Sequence, residues 1–129
     1  MQCPGWNSRL AARRIGRFLD RELAGTGLTV AQLGLMAEIA VTPDDTMASL
    51  ARRTGLEQST LSRNLRTLEA MELLEIATVE ADLRRRAVWL TEAGARRLEK
   101  AIPIWRAALA GLARQLDLAR RLAEATEDL

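Results

Sequence analysis

The stretch Thr46–Thr91, TMASLARRTGLEQSTLSRNLRTLEAMELLEIATVEADLRRRAVWLT, decides the fold. Thr46 can cap a short helix over Met47–Thr54, with Leu50 and Ala51 facing inward. Gly55 permits a sharp turn after it. A second helix, Glu57–Met71, places Leu61, Leu65 and Leu68 at i, i+4 and i+7 on one face. At about 100° per residue the opposite face collects Ser59, Ser62, Arg63 and Arg66, flanked by Thr60 and Thr67. An ordinary exposed helix would carry Glu–Lys pairs at i, i+4. This one carries short hydroxyls, which let a helix sit deep in a groove, and two guanidinium groups. Leu74–Ala81 alternates and holds Ile76, Thr78 and Val79, so it predicts a strand, with Ala87–Leu90 as its return. Between them Asp82-Leu83-Arg84-Arg85-Arg86 reads as a basic hairpin tip. Helix, turn, helix and ribbon form the pattern of a winged helix-turn-helix. Its polar helix face suits a major groove of duplex DNA and its tip a narrow minor groove.

Charge is segregated within this stretch. Residues 46–67 hold four Arg against one acid, Glu57, whereas residues 68–82 hold five acids and no base. Three consecutive Arg follow at 84–86. A solvated polar face and a solvated turn would account for parts of this pattern. The acidic run also leaves open a second reading, a winged-helix module for protein contacts with weak or lost DNA binding.

The chain has 129 residues, a length that fits one domain. A content of 48% hydrophobic and 28% charged residues excludes general disorder. Aromatics are 3% and Ala and Leu dominate, so an α-rich fold is expected. The formal net charge is +2, and Lys100 is the only lysine among the cations. Arg suits bidentate phosphate and guanine contacts better than Lys. A GC-rich genome also raises Arg over Lys, so the positions of the Arg residues carry the argument. One Cys excludes an intrachain disulfide and suits a reducing compartment. With no His, a transition-metal site and Ser–His or Cys–His catalysis are excluded. No enzyme and no cofactor are expected. Neither a signal-peptide core nor an apolar run of the ~20 residues a membrane span needs is present, so a cytoplasmic protein without membrane contact is expected.

Outside the central stretch, Asn7 or Ser8 can cap a helix running to about Ala24, with Leu10, Ile15, Phe18, Leu19 and Leu23 on one stripe. Its Arg residues, including Arg17, lie largely elsewhere. Gly25-Thr26-Gly27 ends it. Thr29 caps a second helix, Val30–Ala40, with Leu33, Met36, Ala37 and Ala40 as its apolar side, and residues 42–45 form a loop. Thr91 caps the last segment. There Leu98, Ile102, Trp105, Leu109, Leu112 and Leu116 are spaced 4, 3, 4, 3, 4, a heptad-like seam. Pro103 interrupts it. Gly111 or Asp117 is expected to break it again, leaving a terminal piece with Leu118, Leu122, Ala125 and Leu129. The seam is longer than the lobe core needs, which points to a second copy of the chain, joined by Leu10 and Phe18 and by Leu122. The expected organisation is a single domain over 1–129, mainly α with a small β-ribbon. Residues 29–91 form the winged helix-turn-helix lobe; residues 1–28 and 92–129 form N- and C-terminal dimerisation helices.

These residues resemble the MarR family of bacterial transcription regulators over most of the chain. Gly27-Leu28-Thr29 with Gln32 is similar to that family's approach to its second helix. Leu50-Ala51, Gly55-Leu56, Ser59-Thr60-Leu61-Ser62-Arg63-Asn64-Leu65 and Leu68-Glu69 resemble its helix-turn-helix. Asp82, Arg84, Leu90 and Thr91 match its wing pattern D-x-R-x-x-x-x-x-L-T, and Ala101-Ile102-Pro103-Ile104-Trp105 resembles a segment of one branch. The resemblance implies a homodimer on a pseudo-palindromic double-stranded operator, in the cytoplasm and associated with the nucleoid. Gln58, Ser59, Thr60, Ser62, Arg63 and Arg66 would face the major groove. Asp82, Arg84, Arg85 and Arg86 would form the wing, with Arg84 in the minor groove and Asp82 orienting it. It implies a repressor released by a small aromatic or anionic effector, with the pocket between dimerisation helices and lobe. Arg17, Met36 and Trp105 are the residues placed nearest such a pocket. The chain departs from the family at Glu72, where Gly is common, at Ile76, where a base is common, and near Gln58, where the nearest branch carries a base. Each departure lowers positive charge near the phosphates. Some members sense oxidants through an N-terminal Cys paired with Tyr. Cys3 lies in that region, but the chain has no Tyr, so a thiol-based redox regulator stands as an alternative.

Overall fold

The computed structural model describes residues 4–42, 45–79 and 82–126, which leaves the redox candidate Cys3 outside the described residues. The elements in order are α1 (Pro4–Glu22), a 3-10 turn (Ala24–Thr26), α2 (Val30–Val41), β1 (Asp45–Thr46), α3 (Met47–Thr54), α4 (Gln58–Ala70), β2 (Leu74–Val79), β3 (Asp82–Leu90) and α5 (Glu92–Thr126).

Local chemistry sets most of these boundaries. α1 begins at Pro4, earlier than the Asn7 or Ser8 cap expected from sequence. Proline fits a first helical turn, because its missing N–H has no intrahelical partner there in any case. The glycine turn closes α1 as expected. Gly27 sits at φ 74, and Thr26 Oγ1 donates to the Leu23 carbonyl at 2.6 Å. Thr29 caps α2 through a reciprocal box. Its Oγ1 accepts from Gln32 N–H at 3.1 Å, and Gln32 Oε1 accepts from Thr29 N–H at 2.9 Å. Asp20 of α1 accepts from Val30 N–H at 2.7 Å and ties the two helices together. α2 is more enclosed than its expected stripe. Leu35 and Ile39 are buried beside Leu33 and Met36, while Ala40 is exposed.

The sheet has three antiparallel strands in the order β1-β3-β2, not the two-stranded ribbon expected. Asp45 pairs with Val88 and Thr46 with Ala87. Across β2 and β3 the register runs from Leu74 opposite Leu90 to Thr78 opposite Arg86, then slips so that Val79 faces Asp82. The backbone of residues 82–86 therefore belongs to a strand with an irregularity, where a hairpin tip was expected.

One core holds the lobe together. Leu61, Leu65 and Leu68 of α4 pack with Leu33, Met36 and Ile39 of α2, Leu50 of α3 and Val88 of β3. Each fully buried leucine or isoleucine contributes about 1.5–3 kcal/mol. Leu98 and Ala101 close the same core from α5.

The join between lobe and α5 is tight. After α4, Glu72 takes φ 62, and Leu73 N–H returns to the Leu68 carbonyl at 3.0 Å. Thr91 then clasps this turn. Its N–H donates to the Leu73 carbonyl at 3.1 Å and its Oγ1 to the Glu72 carbonyl at 2.7 Å. Thr91 Oγ1 also accepts from Gly94 N–H at 3.0 Å, starting α5. A Cβ on Gly94 would overlap the Leu73 carbonyl oxygen, so this crossing admits only glycine.

α5 runs unbroken through Pro103, Gly111 and Asp117, against the break expected at Gly111 or Asp117. Asp117 reinforces the helix. It accepts from Arg120 at 2.8 Å and Arg121 at 3.0 Å, and Arg120 also reaches Glu124 at 2.7 Å. The hydrogen bonds to Asp117 and Glu124 hold the Arg120 guanidinium pKa above its ordinary value.

Candidate nucleic-acid interface

The helix-turn-helix is built by its caps. Thr46 Oγ1 accepts from Ser49 N–H at 3.1 Å and starts α3. Gly55, at φ 69, ends it, its N–H bound to the Ala51 carbonyl at 2.9 Å. Thr54 Oγ1 donates to the Leu50 carbonyl at 2.9 Å and accepts from Leu56 N–H at 3.4 Å, fixing the exit of the turn. Half-buried Ala51 lets α4 approach closely.

With Leu61, Leu65 and Leu68 buried, the outer face of α4 is set by helical geometry. Gln58, Ser59, Arg63, Arg66 and Thr67 are exposed, whereas Thr60 and Ser62 are half-buried on the flanks. Thr67 Oγ1 donates back to the Arg63 carbonyl at 3.0 Å, and Asn64 Nδ2 to the Thr60 carbonyl at 3.1 Å. Both are tied to their own helix. Ser59, Arg63 and Arg66 keep side chains free of protein partners, and they form the centre of the face.

The four Arg of residues 46–67 divide into two kinds. Arg53 braces α3 against α2, its Nη1 3.0 Å from Glu38 Oε2 and 3.0 Å from Thr42 Oγ1. Arg52, exposed in the last turn of α3, stands beside Arg63 and Arg66 as a cation turned to solvent. Sequence reasoning left Arg52 out of the site. The pairing of Arg53 spans 15 residues, and no local pattern distinguishes it from its neighbour.

The side chains of Asp82, Arg84, Arg85 and Arg86 lie outside the described residues. The backbone places them on β3, beyond the Thr78–Arg86 pair. Exposed Glu69, Glu72 and Glu75 lie between α4 and this end of the sheet, so the basic face gives way to an acidic one within a few residues.

The proposed pocket residues are dispersed. Arg17 is exposed on α1, and Met36 is fully buried in the lobe core. Trp105 is half-buried, its indole N–H enclosed with no hydrogen-bond partner. An open cleft of about 500 Å³ lies elsewhere, lined by Gly25, Thr26, Gly27, Arg97, Lys100 and Ile104. Among the proposed dimerisation residues, Leu98 belongs to the chain's own core; Leu10, Phe18, Ile102, Trp105 and Leu112 are half-buried; Leu109 and Leu116 are exposed. The side chain of Leu122 lies outside the described residues. Among those described, no acidic or Cys cluster could hold a metal ion, and no helix is long and apolar enough to cross a membrane.

Residues 26–85 match the model of a family described as the MarR family. The crystal structure of the M. tuberculosis transcriptional regulator MosR in complex with DNA is similar at 33% identity, with a TM-score of 0.79. The match covers 98% of this chain and 99% of that one. A second structure of MosR matches at 31% identity and a TM-score of 0.75, over 99% and 98% of the two chains. The S. aureus MepR–DNA complex shares the fold at 19% identity and a TM-score of 0.79, over the whole of both chains. Among curated protein sequences none matches this chain.

Proposed function

Because the chain belongs to the MarR family, we propose that it is a DNA-binding transcriptional regulator, acting as a homodimer on a two-fold-symmetric operator. One observation carries this reading. Ser59, Arg63 and Arg66 project together from α4, directly opposite leucines that are locked in the core. Short hydroxyls keep the helix backbone near the groove floor, while the two guanidinium groups reach guanine edges or phosphates. The MosR and MepR structures with DNA support the same docking for this fold. The wing, with Arg84 to Arg86, would enter the adjacent minor groove. The exposed apolar residues of α1 and α5 supply the second copy's contact, and the two copies present two recognition helices. In the bacterial cytoplasm such a dimer would act as a repressor released by a small molecule.

The test is titration of the full chain against duplex from upstream of its own gene, at about 50 and 200 mM salt. A protein neutralising 6–10 phosphates loses on the order of 10³–10⁵ in affinity over that range. The acidic residues after Leu68 place this chain at the shallow end. Arg63→Ala should narrow the gap between operator and random duplex by about 1–3 kcal/mol. Binding that ignores salt, or an Arg63→Ala variant with unchanged selectivity, would rule out this docking. Exposed Glu69, Glu72 and Glu75 favour the competing reading, a module for protein contacts, which predicts that outcome.

A further inference from the structure

The cleft between the α1–α2 turn and α5 carries chemistry that neither the core nor the DNA face uses. On α5, Arg97, Lys100 and Ile104 fall at i, i+3 and i+7, one face of the helix. That face looks onto Gly25, Thr26 and Gly27 across about 500 Å³, within the range of small-molecule sites. Arg97 is half-buried. Its Nη1 donates to the Thr26 carbonyl at 3.3 Å, a long bond that uses one of five N–H groups. A Cβ at Gly27 would stand 2.8 Å from that Nη1, so glycine leaves the room in which the guanidinium lies. Neither Arg97 nor Lys100 has an acidic partner among the described residues, and no acid lines the cleft. Two like charges one turn apart repel each other, and an anion between them would relieve that repulsion. The remaining wall is apolar: Ile104, left 41% exposed, and glycine backbone.

We infer that this cleft binds a small organic monoanion, a carboxylate held by Arg97 and Lys100 with its apolar body against Ile104. As the effector site it rests on the regulator proposed above; as a binding site it does not need DNA. A ligand here would bridge the turn leading into α2 and the helix that carries the lobe, joining the two parts whose relative placement an operator must fix.

Lys100 is the only lysine, so its ε-amine is a single-site reporter. The full chain is titrated by calorimetry with 4-phenylbutyrate, its neutral amide and inorganic sulfate. In parallel, Lys100 is acetylated with an amine-reactive reagent and the product read by mass spectrometry. The acid should bind and protect Lys100. The amide should bind about tenfold more weakly, the worth of one charge-assisted hydrogen bond. Sulfate, lacking an apolar body, should bind more weakly than the acid. Lys100→Gln, whose side chain makes no described contact, should weaken the acid several-fold without changing the melting temperature. Arg97→Gln should weaken it further. Absence of acid binding, equal binding of acid and amide, or undiminished binding by Lys100→Gln would overturn the site. Failure of the regulator reading shows separately, as absence of DNA binding by the ligand-free chain.

Discussion

α4 and α5 carry the same leucine periodicity and put it to different uses. On α4, Leu61, Leu65 and Leu68 are all at most 1% exposed, closed in by α2, α3 and the sheet. On α5 the ladder starts in that same core, with Leu98 at 5% and Ala101 at 0%, and then runs out of partners. Leu109 is 36% exposed and Leu116 55%. The spacing is helical in both, so period alone does not say what a stripe packs against. What differs is reach. The lobe surrounds α4, whereas α5 extends 35 residues, about 50 Å at 1.5 Å per residue, well past anything the lobe can cover. Exposed Trp6 on α1 and Ile104 and Leu118 on α5 belong to the same uncovered extension. An apolar surface of this kind marks an interaction site in a soluble chain.

The largest effects should come from the closed side. Leu65→Ala removes a fully buried side chain and should cost about 2–5 kcal/mol in chemical denaturation. Leu116→Ala should change the stability of the isolated chain, measured at high dilution, by no more than about 0.5 kcal/mol. Equal losses in both would erase the distinction between the helices. The second test addresses the open side directly. In Leu109→Asp combined with Leu116→Asp, two charges enter the surface proposed for the second copy. Sedimentation should show a dimer for the natural chain and a monomer for the variant. If these positions sit at the centre of the contact, the dissociation constant should rise about 30-fold or more. A variant that sediments as the natural chain does would place the partner elsewhere.

The same contrast explains what could be read from sequence. The face of α4 was legible because one helix, with one period, lies against one core, so fixing the leucines fixes Ser59, Arg63 and Arg66 by rotation. α3 and its caps were legible for the same local reasons, and Thr46, Thr29 and Gly55 stand where expected. Features made by distant residues were not. β1 is only Asp45–Thr46 and exists because β3 lends it a ladder, so nothing local distinguishes it from a loop. Arg53 looks like Arg52 until Glu38 is beside it. Met36 suits a pocket or a core equally by composition, and the structure places it in the core. The expected basic tip became part of β3 because the register slips after Thr78, a matter of strand pairing. The cleft joins residues 71 apart, Thr26 and Arg97, across the whole lobe.

The smallest effect expected lies within the closed region, where packing is complete but the backbone is not relaxed. Glu72 is the one non-glycine residue with positive φ among those described, at 62°. The clasp enforces it: Glu72's carbonyl holds Thr91 Oγ1, its N–H returns to Glu69, and Leu73 must reach Leu68. A side chain in this region costs about 1–2 kcal/mol, of which the freer unfolded state of glycine takes back about 0.4–1 kcal/mol. Glu72→Gly should therefore stabilise the chain by about 0.5–1 kcal/mol, a rise of a few degrees in melting temperature. Charge contributes separately. A carboxylate just past the C-terminus of α4 opposes the helix dipole and stands near the phosphates that Arg66 would approach. Glu72→Gln removes the charge and keeps the strain; Glu72→Gly removes both. If backbone strain is the larger part, the glutamine variant should gain little stability while both variants gain DNA affinity alike. Should glutamine stabilise as much as glycine, the cost at this turn is electrostatic and the clasp carries no strain.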